Sequence, residues 1–208
     1  MFDRFVSRLR AFLGEPLAKS LRRRLRAAAP STISELREGL HCRIAGMVQV
    51  HENTTLTAPL SGLTCVAYLL EIIETNTDWG ERLFAYDKRA VPFVLADHGH
   101  HAVVDPAHSQ ILVSTRHALD RSSGFRSDPR QRAVLERYQP GAQYAQTTRM
   151  RYREMVVEPG ARVTLAGVGQ REVDPYAQSE RGYRDDARQR LRFVGSEELP
   201  LLVGDDPP

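Results

Sequence analysis

From Ile33 onward, short runs rich in Val, Ile, Leu and Thr are cut off repeatedly by Gly, Pro, Asn or Asp, at intervals of about ten residues. That spacing leaves little room for helices between the runs, and it predicts a mainly β chain folded as a small antiparallel β-barrel or sandwich. Strands are expected near 41–51, 64–74, 82–86, 91–96, 101–105, 110–116, 149–157, 161–171 and 190–195. One short interior helix is expected over 129–138. There Asp128 suits the N-cap, Pro129 the first helical position, and Val134, Leu135 and Tyr138 the apolar side. The stretches 118–127 and 174–189 read as polar loops.

The N-terminal region follows another period. Phe2, Phe5, Val6, Leu9, Phe12 and Leu13 recur at three- and four-residue steps, which puts them on one face of a helix. Gly14 can end that helix and Pro16 can open the next, along which Leu17, Leu21 and Leu25 continue the stripe. The expected organisation is a basic amphipathic helical segment over 1–29, a linker over 30–32 and one β domain over 33–208. Charge divides at the same place. Eight of the 29 basic residues but only two of the 26 acidic ones precede Pro30, so the high isoelectric point belongs to the segment and the remainder is net acidic.

A weak internal echo runs through the β region. Glu38-Gly39-x6-Gly46 and Pro159-Gly160-x6-Gly167 each place one Gly seven residues before another, with alternating apolar residues between them (Cys42 and Ile44, Val163 and Leu165). A turn Gly that opens a strand, followed by a strand Gly that allows a bend, is what barrel corners need. The echo suggests a barrel of two related halves; with 14 glycines in the chain, coincidence is the rival explanation.

Chemistry-bearing patterns are sparse. No Gly-x-Ser-x-Gly elbow occurs, Gly167-x-Gly169 lacks the third glycine of a dinucleotide fingerprint, and Lys19 and Lys88 are the only lysines, neither in a phosphate loop. His98, His100, His101 and His108, flanked by Asp97 and Asp105, could supply zinc ligands, but they equally suit a polar hairpin turn, which is the expected role. No metal and no cofactor is expected. Cys42 and Cys65 are too few for a disulfide scaffold, nothing resembling a signal peptide precedes them, and both are expected as buried core thiols. The paired carboxylates Asp185-Asp186 and Glu197-Glu198 fall in polar, loop-like sequence and read as solvated. Arg149, Arg151 and Arg153 alternate along a strand and could track phosphates, yet the net acidic domain argues against nucleic acid as a partner. The longest charge-free run, 53–70, is broken by Pro59 and Gly62 and does not read as a membrane-spanning helix.

One ordered set of residues resembles a known family. Leu40-His41-Cys42-Arg43-Ile44-Ala45-Gly46-Met47-Val48, then Leu56 through Tyr68 with Pro59, Gly62 and Cys65, then Trp79, Phe93-Val94-Leu95-Ala96-Asp97 and Val103-Val104-Asp105-Pro106 follow the pattern of the GIDE domain. This domain, also called BAM for "beside a membrane", occurs in membrane ubiquitin ligases of the MULAN/MAPL type and in prokaryotic relatives; the bacterial branch is the one expected here. Glu158-Pro159-Gly160, Val163-x3-Gly167 and Leu191-x3-Gly195 resemble its end. The positions this implies as structural are Gly46, Pro59, Gly62, Cys65, Trp79, Phe93, Asp97, Asp105, Gly160 and Gly167.

The sequence lacks the Cys and His ligands of a RING, so the resemblance to E3 ubiquitin ligases carries no ligase activity with it. What it implies is a protein-, peptide- or small-ligand-binding or sensing module at or near a membrane, not an enzyme, in the cytoplasm or peripherally attached to a membrane. The competing reading is an enzyme of unknown reaction using the 98–108 region. For the N-terminal segment, Phe2, Phe5, Leu9, Phe12 and Leu13 with Arg4, Arg8, Arg22, Arg23 and Arg24 are the expected contacts to an anionic membrane surface or a partner protein. The alternative is that its apolar stripe packs on the barrel or on another copy. The ligand of the β domain stays undefined at this level.

Overall fold

The computed structural model describes residues 19–76, 80–112, 119–123, 129–138, 149–173 and 189–205. Among them the chain is mainly β, as expected. Helix α1 (19–27) precedes β1 (His41–Val50), β2 (Leu56–Thr57), β3 (Thr64–Cys65), β4 (Ala67–Asn76), β5 (Gly80–Ala90), β6 (Phe93–Asp97), β7 (His100–Val104), β8 (Ser109–Leu112) and β9 (Leu119–Ser123). Helix α2 (Pro129–Tyr138), β10 (Arg149–Val157), β11 (Arg162–Val173), β12 (Gln189–Val194) and β13 (Leu201–Asp205) complete it.

Five strands close into a barrel in the order β1, β6, β7, β12, β11 and back to β1. Alternation builds its interior: Cys42, Ile44 and Val48 of β1 point inward with Phe93, Leu95, Val104, Val163, Leu165, Phe193 and Leu201, while His41, Arg43 and Met47 face outward or lie at the rim. Closure uses a short parallel seam, since β12 meets β7 only through Arg192↔Val103 and Phe193↔Val104. Charge reinforces it from outside, where the Arg192 guanidinium donates both to Asp105 after β7 and to Glu172 on β11. A second parallel pairing, β13 with β8, extends the sheet beyond the barrel. The expected antiparallel pattern therefore holds except at these two seams.

Strand β4 begins in the barrel and leaves it, and β10, paired antiparallel with it, runs back in. Val66, Ala67 and Val157 belong to the barrel core, whereas Leu70, Ile72, Met150 and Tyr152 pack with Leu60 and with Val134 and Leu135 of α2. The sheet β5-β4-β10-β9 thus carries α2 on one face. Three strands escaped the sequence reading. β2 has two residues, β9 lies in the stretch read as a polar loop, and β13 follows the last expected strand.

The internal echo has a structural counterpart. β1 and β11 pair antiparallel from His41↔Val168 to Met47↔Arg162, with Ile44↔Leu165 at the centre. About that centre, features of one half repeat in the other at a fixed sequence offset. The Leu40 amide donates to the Arg37 carbonyl around Gly39 at φ 77°, and the Ala161 amide donates to the Glu158 carbonyl around Gly160 at φ 83°. Gly39 N–H donates to Gly169 and Gly160 N–H to Val48. Both turns use a glycine where L side chains are strained.

Gly46 and Gly167 are equivalent in the same sense. Each stands one residue before its strand takes up a further neighbour, at Met47↔Ala96 and Val168↔Val194. A Cβ on Gly46 would lie 2.7 Å from the Ala96 carbonyl oxygen and 2.9 Å from Leu95; one on Gly167 would lie 2.7 Å from the Val194 carbonyl oxygen and 2.8 Å from Leu201. Backbone stands in the way at both, so Gly46→Ala and Gly167→Ala should each destabilise the barrel by about 1–3 kcal/mol in urea unfolding. Gly169→Ala, whose nearest neighbour would be Leu36 at an ordinary 3.5 Å, should change stability little. Equal effects at all three positions would contradict this view of the two close approaches.

Candidate functional site, a basic helix on the barrel wall

Helix α1 forms where Leu21 and Leu25 stand four apart among arginines, which favour helix, and it ends before Pro30, which cannot continue it. Leu21, Leu25 and Ala28 are buried against Ala166 of β11 and Leu202 of β13, on the outer side of the barrel. Burying the two leucines contributes roughly 3–6 kcal/mol at about 1.5–3 each, before ordering costs. Arg43 of β1 donates from Nη1 to the Arg26 carbonyl at 3.2 Å and so satisfies a carbonyl at the helix C-terminus with a cation. Residues 30–32, expected as a linker, begin against the barrel: Arg43 N–H donates to Ala29 and Ser31 N–H to the Arg43 carbonyl, both at 2.8 Å.

Seating its leucines leaves α1 with Lys19, Arg22, Arg23, Arg24 and Arg26 exposed. No acidic residue lies between Glu15 and Glu35. Seven arginines of the sheets are paired: Arg82 with Glu74, Arg89 with Asp87, Arg151 with Glu81, Arg153 with Glu71, Arg162 with Asp97, and Arg190 and Arg192 with Glu172. No described carboxylate pairs with Arg22, Arg23, Arg24 or Arg26. The helix is therefore a concentrated positive charge fixed to a net acidic domain. The alternating arginines of β10 are different in kind, since Glu81 and Glu71 already face two of them.

Of the expected contact residues, Arg22, Arg23 and Arg24 are brought together here; Phe2, Arg4, Phe5, Arg8, Leu9, Phe12 and Leu13 lie outside the described residues, as does Trp79. His98 (φ 45°) and Gly99 (φ 82°) form the β6–β7 turn, and His98, His100, His101 and His108 are all exposed. Asp97 lies beside His98 and Arg162. Asp105 accepts from the Ala107 N–H at 2.9 Å and from Arg192, so it terminates β7 and holds the barrel seam. Phe93 is in the barrel core. Cys65 is fully buried, and burial with the nearby Glu154 and Glu158 charges pushes its pKa up to about 11; burial also raises Cys42. Neither thiol is poised as a nucleophile.

The segment from Pro59 to Leu63 is a structural loop leading into β3. Its Leu60 and Ser61 amides donate to the two carboxylate oxygens of Glu154 at 2.6 and 2.8 Å, and Glu154 is wholly buried. Arg130 of α2 donates to the Ser61 carbonyl, and its guanidinium covers Gly62 (φ 75°) so closely that a Cβ there would meet it at 2.9 Å. The loop is thus gripped between a strand carboxylate and a helix guanidinium. Sequence reasoning missed Glu154, although a signal existed: along β10 it is the one charged residue on the buried alternate positions occupied by Met150, Tyr152 and Val156.

A second missed group is Tyr68, whose hydroxyl donates to Asp87 at 2.9 Å. Burial and that carboxylate push its pKa up to about 12, and they raise Tyr138 of α2, whose buried hydroxyl lies near Asp87 without a hydrogen bond of ordinary geometry. The two tyrosine hydroxyls, one from β4 and one from α2, stay protonated at neutral pH.

Comparison with family models, with curated proteins and with solved structures finds no match to this chain. Among the described residues no helix is long and apolar enough to cross a membrane.

The grip on the loop is measurable. Glu154→Ala leaves two amides in a buried setting without their acceptor and should cost roughly 3 kcal/mol in urea unfolding, while Glu154→Gln, which keeps one carbonyl acceptor, should cost less. Wild-type stability for Glu154→Ala would show that the carboxylate holds nothing.

Proposed function

We propose that this chain is a non-enzymatic binding module, GIDE-like in kind, whose N-terminal segment holds it at an anionic membrane surface while the β domain docks a protein, peptide or small ligand. The observation that supports this best is the set of four α1 arginines without carboxylate partners, in a chain whose other ion pairs neutralise sheet arginines. Exposed basic side chains near an anionic leaflet each contribute about 1 kcal/mol of attraction, and that attraction weakens with salt. Because Leu21 and Leu25 seat α1 against the barrel, these charges are gathered on one side of the domain and would orient it at first contact.

The proposal predicts salt-dependent binding to vesicles containing phosphatidylserine and little binding to neutral phosphatidylcholine vesicles. Reversing three charges (Arg22→Glu, Arg23→Glu, Arg24→Glu) should weaken co-sedimentation at low salt by about a hundredfold or more, the equivalent of roughly 3 kcal/mol. Circular dichroism should be unchanged, because these side chains are exposed. Undiminished vesicle binding by the folded triple variant would remove α1 from the docking surface.

A further inference from the structure

Helix α1 and the chain just after it are held in different ways. Its apolar residues form a small cluster with Ala166 and Leu202 that is separate from the barrel core. A side-chain bond from Arg43 reaches its C-terminal end. From Ala29 to Ser31, by contrast, two backbone hydrogen bonds fix the chain to Arg43, and Pro30 bridges to the same residue. The change from side-chain to backbone attachment falls at residues 27–29.

The helix is also seated with the wrong side outward for lipid. At about 100° per residue, Arg22 and Arg24 flank the stripe of Leu21, Leu25 and Ala28, while Arg23 and Arg26 lie across from it. An apolar centre with a guanidinium on each flank is the arrangement that lies well in a bilayer interface, the stems buried and the charges at headgroup level. In the structure that face rests on the barrel.

We infer that α1 is a latch: an acidic phospholipid surface, met first by the arginines, draws the helix off Ala166 and Leu202 about a hinge at residues 27–29 and takes up Leu21, Leu25 and Ala28 itself. This rests on the reading of α1 as the anionic-lipid contact. Barrel and bilayer then compete for one stripe, so lipid binding shifts the population from seated to released helix by the difference in affinity between the two states. The segment from Ala29 stays on β1 and keeps the domain tethered.

The test uses the full chain with Leu202→Cys, and separately Ala166→Cys in case the first substitution perturbs folding. Each new thiol lies under the seated helix, and the parent, whose Cys42 and Cys65 are buried, is the blank. The rate of modification by a water-soluble maleimide is measured with and without phosphatidylserine-containing vesicles, and co-sedimentation is read on the same samples. The latch predicts that vesicle binding raises the labelling rate about tenfold or more, as a locally opened site requires, and that neutral vesicles leave it unchanged. Bound protein with an unaltered labelling rate overturns the latch and leaves the docking surface standing. Protein that folds but does not bind the acidic vesicles overturns both.

Discussion

The close approach of β6 to β1 at Gly46 and of β12 to β11 at Gly167 is the constraint on which the rest of the structure depends. Neither Gly46 nor Gly167 has room for a methyl group, because the carbonyl of Ala96 or Val194 occupies the place a Cβ would take. At those points each strand keeps its β1–β11 partner and gains another, and the two additional partners, β6 and β12, are what carry the sheet round to meet at the β7–β12 seam. Glycine is the residue that lets a neighbouring backbone come this close.

Closing the barrel creates the seat for α1. On β11, Val163 and Leu165 point into the core, which turns Ala166 outward beside Leu202 of β13 and presents an apolar spot on an outer wall. The leucines of α1 cover it, and the backbone from Ala29 to Ser31 binds β1 at Arg43. The positive charge of α1 is thereby positioned by the fold, and docking is supported by the absence of described carboxylate partners for Arg22, Arg23, Arg24 and Arg26 more than by composition.

Much of this was legible in the sequence because it is local. The period-2 runs located β1, β6, β7, β10 and β11, and Asp128-Pro129 marked the start of α2. The paired glycines anticipated the two related halves, since a turn Gly and a bend Gly leave a fixed spacing. What remained hidden depends on distant partners. Glu154 meets the Leu60 and Ser61 amides across more than half the length of the barrel's sequence, and Asp87 gathers tyrosines from β4 and α2. Strands β2 and β9 are held by pairing with neighbours more than by their own composition, and Leu119–Ser123 is polar enough to read as loop. The leucines of α1 announced an amphipathic helix but not which surface it would cover, because a barrel wall and a bilayer ask for the same stripe.

The most direct test is vesicle binding by a chain shortened to residues 19–208, followed over a salt titration. If the helix carried on the barrel wall is itself a docking surface, this chain folds, binds vesicles rich in phosphatidylserine at low salt, and loses affinity steadily as salt screens the arginines. A shortened chain that unfolds cooperatively like the full-length protein yet ignores acidic vesicles at the lowest salt would contradict it.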